Sequence, residues 1–360
     1  MNCMLRCVIA SVVVLAINFT KPNARMVQAQ EVDVPASDPA ATDVPVSDAA
    51  ASDTSGSDAA ASDTAASDTA LPDVFKAEIP EGDADTLTVD EWLERGWGYQ
   101  RENRKSLAIT CFTKAIKLDA DCSRAYFSRS EVYEQQDEYT LAEKDLTDFL
   151  RVRPNVYSAL LNRGLVREYS KKYDAAIQDY SQIQSKDTDF SDSAASADTC
   201  RAAALHYRGR VYHMHKQEFQ KAIDDYTLSL KLDATTRALP YRRAVAYHEL
   251  KDYAAADRDF RAGLEKDPRY QNLLRSWAWQ LATCPEDKFR DGLLAMRLAD
   301  RVGDDKALAA ANAELGQYDE AIAIQEKLVA VVGLGNRKPE EVKELKDHLK
   351  QLQSRKPIRD

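Results

Sequence analysis

Residues Trp92–Ala115 read WLERGWGYQRENRKSLAITCFTKA, and 34 residues further on Tyr126–Phe149 read YFSRSEVYEQQDEYTLAEKDLTDF. In a frame opening at Val89, Trp92, Gly96, Tyr99, Ala108, Phe112 and Ala115 take positions 4, 8, 11, 20, 24 and 27. The second copy repeats the size pattern with Tyr126, Ser130, Tyr133, Ala142, Leu146 and Phe149. A third carries Leu160, Gly164, Ala176, Tyr180 and Ile183, a fourth Leu205, Gly209, Tyr212, Ala222 and Tyr226, and a fifth Ala244, Tyr247, Ala256 and Phe260. A period of this length implies stacked helix pairs, because one pair cannot bury its apolar face alone.

Within each repeat the apolar residues recur at three- and four-residue spacing, which predicts two amphipathic helices joined by a short turn. Small residues at positions 8 and 20 predict close approach of the paired axes, while large ones at 4, 11 and 24 fill the space between repeats. Pro154 and Pro268, both at position 32, mark repeat ends, since proline lacks the N–H that a continuing helix needs. The fourth repeat has one extra residue, which the reading places in the turn at 216–218. A Ser/Asp/Ala-rich stretch at 187–198 reads as a polar loop. Arg stands at position 7 of all five repeats (Arg95, Arg129, Arg163, Arg208, Arg243) and Asp at position 23 of four (Asp145, Asp179, Asp225, Asp259), which predicts a ladder of partly exposed ion pairs worth about 0–1 kcal/mol each.

These offsets and residue types resemble the tetratricopeptide repeat family over residues 87–353. The resemblance implies an all-α, right-handed superhelical solenoid of helix hairpins with five clear repeats. The run from Trp277 to Leu298 resembles the degenerate unit of some exported bacterial members, and Leu315, Gly316, Tyr318, Ala321 and Ile324 supply a further turn and helix. Val342, Leu345, Leu349 and Leu352 make a narrow apolar stripe suited to a capping helix, with 354–360 left as a tail.

The chain opens with Arg6, an apolar run from Cys7 to Phe19 and a small-residue site at 27–29, so residues 1–29 read as a signal peptide; an uncleaved anchor is the one membrane contact the sequence offers. From Asp33 to Asp73 an aspartate stands at every fifth residue, and 30–86 has almost no large apolar side chains, which predicts a disordered acidic linker. Residues 87–360 carry 45 acidic and 45 basic side chains, so the overall charge of −10 belongs to what precedes them. That balance gives no support to nucleic acid as a partner. Export permits disulfides, but Cys111, Cys122, Cys200 and Cys284 allow three pairings between which the sequence does not choose, and four free thiols fit a solenoid with ample core.

In the family, first-helix positions 2, 5, 9, 12 and 13 line a concave groove. Here they place Leu93, Trp97, Arg101, Phe127, Glu131, Glu134, Leu161, Leu165 and Tyr169 at one end, and His206, Arg210, His213, Tyr241, Val245 and His248 at the other. Such a wall suits an extended or helical peptide. The competing expectation is that Trp97, Phe127 and Leu161 simply pack as core. Family members that clamp a terminal carboxylate use lysine where this chain has Leu93, Phe127 and Leu161, so that activity is not implied. The histidines read as groove residues without a metal, because no fourth ligand is placed beside them. No metalloprotease, phosphate-loop or nucleophile-elbow signature occurs, and Gly333–Gly335 reads as a turn. The expected role is therefore a non-enzymatic, cofactor-free scaffold for protein or peptide partners in a bacterial envelope, periplasm or secreted setting. The alternative is an oligomerising envelope-assembly factor.

Overall fold

A computed structural model describes residues 86–333 and 339–359. The signal-peptide and linker expectations and most of the Gly333–Gly335 turn lie outside them. All the regular elements described are helices, and they fall into two compact units: residues up to Lys171 with 191–194, and 172–190 with 195 onward.

The first unit contains α1 (Val89–Arg101), α2 (Lys105–Leu118), α3 (Ser123–Glu134), α4 (Tyr139–Val152) and α5 (Tyr157–Tyr169). Thr88 starts α1 with a reciprocal cap: its hydroxyl accepts from Glu91 N at 3.3 Å while its own N–H donates to Glu91 Oε2 at 2.8 Å. α1 pairs with α2 and α3 with α4, around a core that includes Trp92, Ile109, Phe112, Val132 and Leu146.

The second unit runs through α6 (Tyr173–Gln182), α7 (Ala197–Val211), α8 (Phe219–Leu232), α9 (Ala238–Glu249), α10 (Tyr253–Lys266), α11 (Gln271–Thr283), α12 (Gly292–Val302), α13 (Asp305–Glu314), α14 (Tyr318–Gly333) and α15 (Pro339–Gln353). Hairpins α7/α8, α9/α10, α11/α12 and α13/α14 follow one another, and α15 packs on α14. The last residues do not hang free as a tail. Ile358 is 1% exposed within the second core, and Arg359 reaches Glu314 Oε2 at 2.5 Å.

In the five clear repeats the first helix closes on a left-handed residue at position 15, allowing for the extra residue of the fourth: Asn103, Asp137, Lys171, Gln217 and Lys251 all have φ between 53° and 62°. This lets the next N–H reach back to the carbonyl at position 11, as Arg104 does to Tyr99 at 2.8 Å and Asp252 to Tyr247 at 2.9 Å, and so turns the chain into the second helix. The extra residue of the fourth repeat is not in the turn. It is absorbed by a π-helical stretch, Tyr212–Lys216, whose wider winding accommodates one more residue before Gln217 closes the helix. The polar loop likewise ends earlier than expected, because Ser196 caps α7 by accepting from Thr199 N at 3.1 Å.

The close contact at position 8 is with the ring at position 24. A Cβ on Gly96 would stand 2.5 Å from Phe112 Cε1, and one on Gly209 2.8 Å from Tyr226 Cε1. Both rings are fully buried and have nowhere to move.

The arginine and aspartate columns pair in three rungs where the expectation put them, with the aspartates buried and the arginines half-buried. Arg129 donates to both oxygens of Asp145 at 2.7 and 2.6 Å, Arg208 to Asp225 at 2.8 and 2.6 Å, and Arg243 to Asp259 at 2.6 and 2.7 Å. The third donor of each fork reaches a hydroxyl at position 25 of the preceding repeat: Thr113 at 2.8 Å, Ser181 at 2.8 Å and Thr227 at 3.0 Å. Burial pushes the Asp145 carboxyl above its usual range even though Arg129 holds both oxygens. Arg95 has no such partner, since Cys111 occupies position 23; it lies over the Trp92 ring instead.

Two expectations follow. Gly96→Ala should destabilise by about 1–3 kcal/mol through overpacking on Phe112, whereas Gly98→Ala, with open space around it, should gain about 0.5–1 kcal/mol; thermal melts of both variants check the pair. Arg129→Met leaves Asp145, 2% exposed, without its counter-charge and should cost about 3–5 kcal/mol, while breaking the exposed Arg124–Asp90 pair should cost under about 1 kcal/mol in the same denaturant titration.

Candidate peptide-binding groove

The first helices of the first unit, α1, α3 and α5, bring only part of the expected set to the surface. Leu93 is 0% exposed, and Leu161 and Leu165 are also buried. This corrects the expectation that they line an open wall. Position 5 falls inside the packing around the first helices, where a large apolar side chain does more by excluding water than by facing it. Phe127 is half-buried against the first core, its ring 5.6 Å from Phe149. Trp97 is half-buried too and commits its indole N–H to Ser128 Oγ at 2.7 Å. The core reading thus holds for Leu161 outright and for Trp97 and Phe127 in part. Arg101 is exposed. Tyr169 stacks on Tyr139 with ring centres 5.2 Å apart and planes 16° apart.

Between Trp97 and Leu165 in the row of ninth positions sits Glu131, and it is 6% exposed. Burial pushes its carboxyl up to about 8; a hydrogen bond from Gln100 works the other way and the charge of Glu134 adds to the rise. Burial likewise raises Glu134 to about 7. One oxygen of each, Oε1, has no hydrogen-bond partner.

In the second unit the histidines do not converge on one another. His206 stacks along Tyr207 and meets the edge of Tyr226; burial holds its pKa well below the usual range, with Arg242 and Arg210 adding to the shift. His213 lies in the π-helical stretch against Phe219, and burial followed by the Arg242 charge lowers it to about 4. His248 Nδ1 sits 3.1 Å from Gln280 Oε1, and its ring meets Tyr253 edge-on. Among the described residues no group of three or more His, Cys, Asp or Glu is placed to hold a metal ion. Arg210 lies over Tyr207, Tyr241 meets Tyr270 edge-on, and Val245 is half-buried against the second core. The four described cysteines are buried free thiols, and no described helix is long and apolar enough to cross a membrane.

A tetratricopeptide repeat family model matches residues 93–148 and again 133–191. The match is thus to tetratricopeptide repeats over residues 93–191, less than half of the chain. Over 98 residues it is 24% identical to Hsp70-Hsp90 organizing protein 3 of Arabidopsis thaliana, a match covering 27% of this chain and 18% of that protein's length. Among solved structures, a tetratricopeptide repeat protein from Parabacteroides merdae is 15% identical with a TM-score of 0.47, covering 74% of this chain and 98% of that one. YrrB, described as a TPR protein with an unusual peptide-binding site, is 15% identical with a TM-score of 0.43 and covers 52% of this chain and 90% of its own.

Sequence reasoning missed Gln100, Tyr139, Arg242 and Gln280 as neighbours of the groove side chains. Gln100 was legible, since it stands at position 12 like Glu134. Tyr139 was not, because it opens the second helix of its hairpin and the pattern assigns the groove to first helices.

The two raised carboxyls make the first unit sensitive to alkali. A folded-state pKa above the unfolded value means that the folded form keeps protons the unfolded chain gives up, so the stabilisation is complete below about pH 4.5 and is lost as pH rises through about 8. Melting temperature should therefore fall between about pH 5 and 9, and Glu131→Gln should flatten that fall, by up to about 1.4 kcal/mol for each pH unit over which the proton is lost.

Proposed function

We propose that this chain is a non-enzymatic scaffold whose repeats bind an extended or helical peptide segment of another protein along their first helices. The observation that carries the reading is that each compact unit presents half-buried rings beside polar groups on first-helix positions: Trp97 and Tyr169 with Glu134 in the first, Tyr241 with Arg210 and His248 in the second. Rigid rings with an apolar body and a polar edge are effective anchors, and the polar groups between them set register. The buried residues Leu93, Leu161, Leu165 and His213 support this wall from beneath rather than offering an open face.

The amino-terminal apolar run followed by small residues supports export, with the acidic stretch after it acting as a spacer of about 40–45 Å between the amino terminus and the repeats. Within the repeats, the α11/α12 hairpin with its longer connection through Asp287–Phe289 is the degenerate unit of an exported bacterial form. Lysines of a carboxylate clamp are missing at Leu93, Phe127 and Leu161, so a carboxyl terminus is not the ligand we assign.

Photo-crosslinking in the native host tests the groove. A photoreactive residue at Arg101, Tyr169 or Tyr241 should capture a partner, whereas one at Leu118, 58% exposed on the second helix of its hairpin, should not. Equal capture from both sets would overturn the reading.

A further inference from the structure

Two glutamates on α3 do something the groove reading alone does not require. Glu131 and Glu134 occupy positions 9 and 12, one helical turn apart, and Oε1 of each is buried without a partner. A carboxylate taken out of water needs a counter-charge or hydrogen-bond donors, and retaining two side by side with one oxygen of each left unsatisfied is costly.

Among the described residues no cation acts on either carboxyl. From α1, Gln100 donates one hydrogen bond to Glu131, and the neighbouring Trp97 N–H is spent on Ser128. On α3 itself, Arg129 is bound to Asp145 and Thr113. From α4 and α5, Glu143 and Arg167 pair with each other at 2.9 Å. The charge acting on Glu131 is that of Glu134, which has the same sign. Glu134 in turn acts on Tyr139, whose ring is stacked on Tyr169 and whose hydroxyl donates to Asp137 at 2.9 Å.

We propose that Glu131 and Glu134, with the Tyr139–Tyr169 pair beside them, form a pocket for one lysine or arginine side chain of the bound peptide, which makes the first unit selective for basic segments. An ammonium carries three donors and a guanidinium five, enough to satisfy both orphaned oxygens. The neighbouring ring faces attract the same charge. A metal ion fits less well, since no third ligand joins the pair among the described residues. The inference rests on the groove reading and narrows its partner to a chemical class.

The pocket also makes binding depend on pH. Without a ligand both carboxyls hold protons to an unusually high pH, for the burial reasons given above, and a cation must displace them. Among the described residues, Tyr139 feels the Glu134 charge and has its own pKa pushed up to about 12 by burial, while Lys105 Nζ is bound at 2.8 Å to the carbonyl of Gln135, the residue after Glu134. Affinity for a basic peptide should therefore rise with pH through neutrality.

The test is selection of a phage-displayed random peptide library on the full chain and on its Glu131→Gln/Glu134→Gln form, followed by titration of the winning peptide and of its version with norleucine in place of the basic residue. We expect wild-type binders to share lysine or arginine at one fixed position and the double variant's binders to lack it. The norleucine exchange should weaken binding about tenfold, and wild-type affinity should rise about tenfold from pH 6 to 8 while the variant's stays level. Glu134→Gln alone, an isosteric change at a less buried site, should show the same loss of preference and guards against a folding defect. Binders without a fixed basic residue would overturn the pocket and leave the groove standing, whereas no enriched binders, with no crosslink from Arg101, Tyr169 or Tyr241, would remove both.

Discussion

Alignment of successive hairpins rests on one recurring contact, the half-buried guanidinium fork on a buried carboxylate. Two of its donors close on a carboxylate of the same hairpin, and a third reaches the hydroxyl at position 25 of the hairpin before, as Arg129 does to Asp145 and to Thr113. Apolar burial supplies the cohesion of the stack but is indifferent to small slips along a helix axis. The fork is not, because its planar donors accept only a narrow set of acceptor positions. It therefore fixes the register in which first helices lie side by side, and with it which groups share the exposed face.

The fold was largely legible from residues. Positions 4, 8, 11, 20 and 24 carry size information that helical packing makes obligatory, and Trp92, Gly96, Ala108 and Phe112 are buried as that pattern requires. The turn was not legible, because its marker is a backbone state and not a residue type. Lys171, Gln217 and Lys251 adopt the left-handed conformation that glycine or asparagine would have announced, at a conformational cost met by the hairpin they close. The extra residue in the fourth repeat was counted correctly and placed wrongly for a related reason: a π turn leaves no compositional signature.

The candidate site was legible in outline and misread in depth. Family positions identify which helix faces outward, yet exposure along that face depends on how closely the neighbouring first helix approaches. Leu93 and Leu161 lie inside that approach and became core, whereas Arg101 at position 13 lies beyond it and remained accessible. The position 25 hydroxyls recur with the repeat, yet they went unnoticed because a threonine or serine on a solvated helix does not announce a partner, and their role appears only when the arginine of the next repeat is seen to need a third acceptor.

The polar groups beneath the groove share one electrostatic tendency. Burial raises Glu131 and Glu134 and lowers His206 and His213, and in all four cases it favours the neutral form. Near neutrality the unliganded surface is thus closer to a set of uncharged donors and acceptors than its composition suggests. Arg242 reinforces this in the second unit by opposing protonation of both imidazoles, whereas in the first unit the like charges of Glu131 and Glu134 oppose each other's ionisation. The two units would consequently respond to charge in opposite ways: a cation at the glutamates would have to release protons, while an acidic group near His206 and His213 would face the Arg242 charge. Selectivity would then come less from a fixed field than from the cost of ionising each pocket, a cost that only a partner of the right sign can offset.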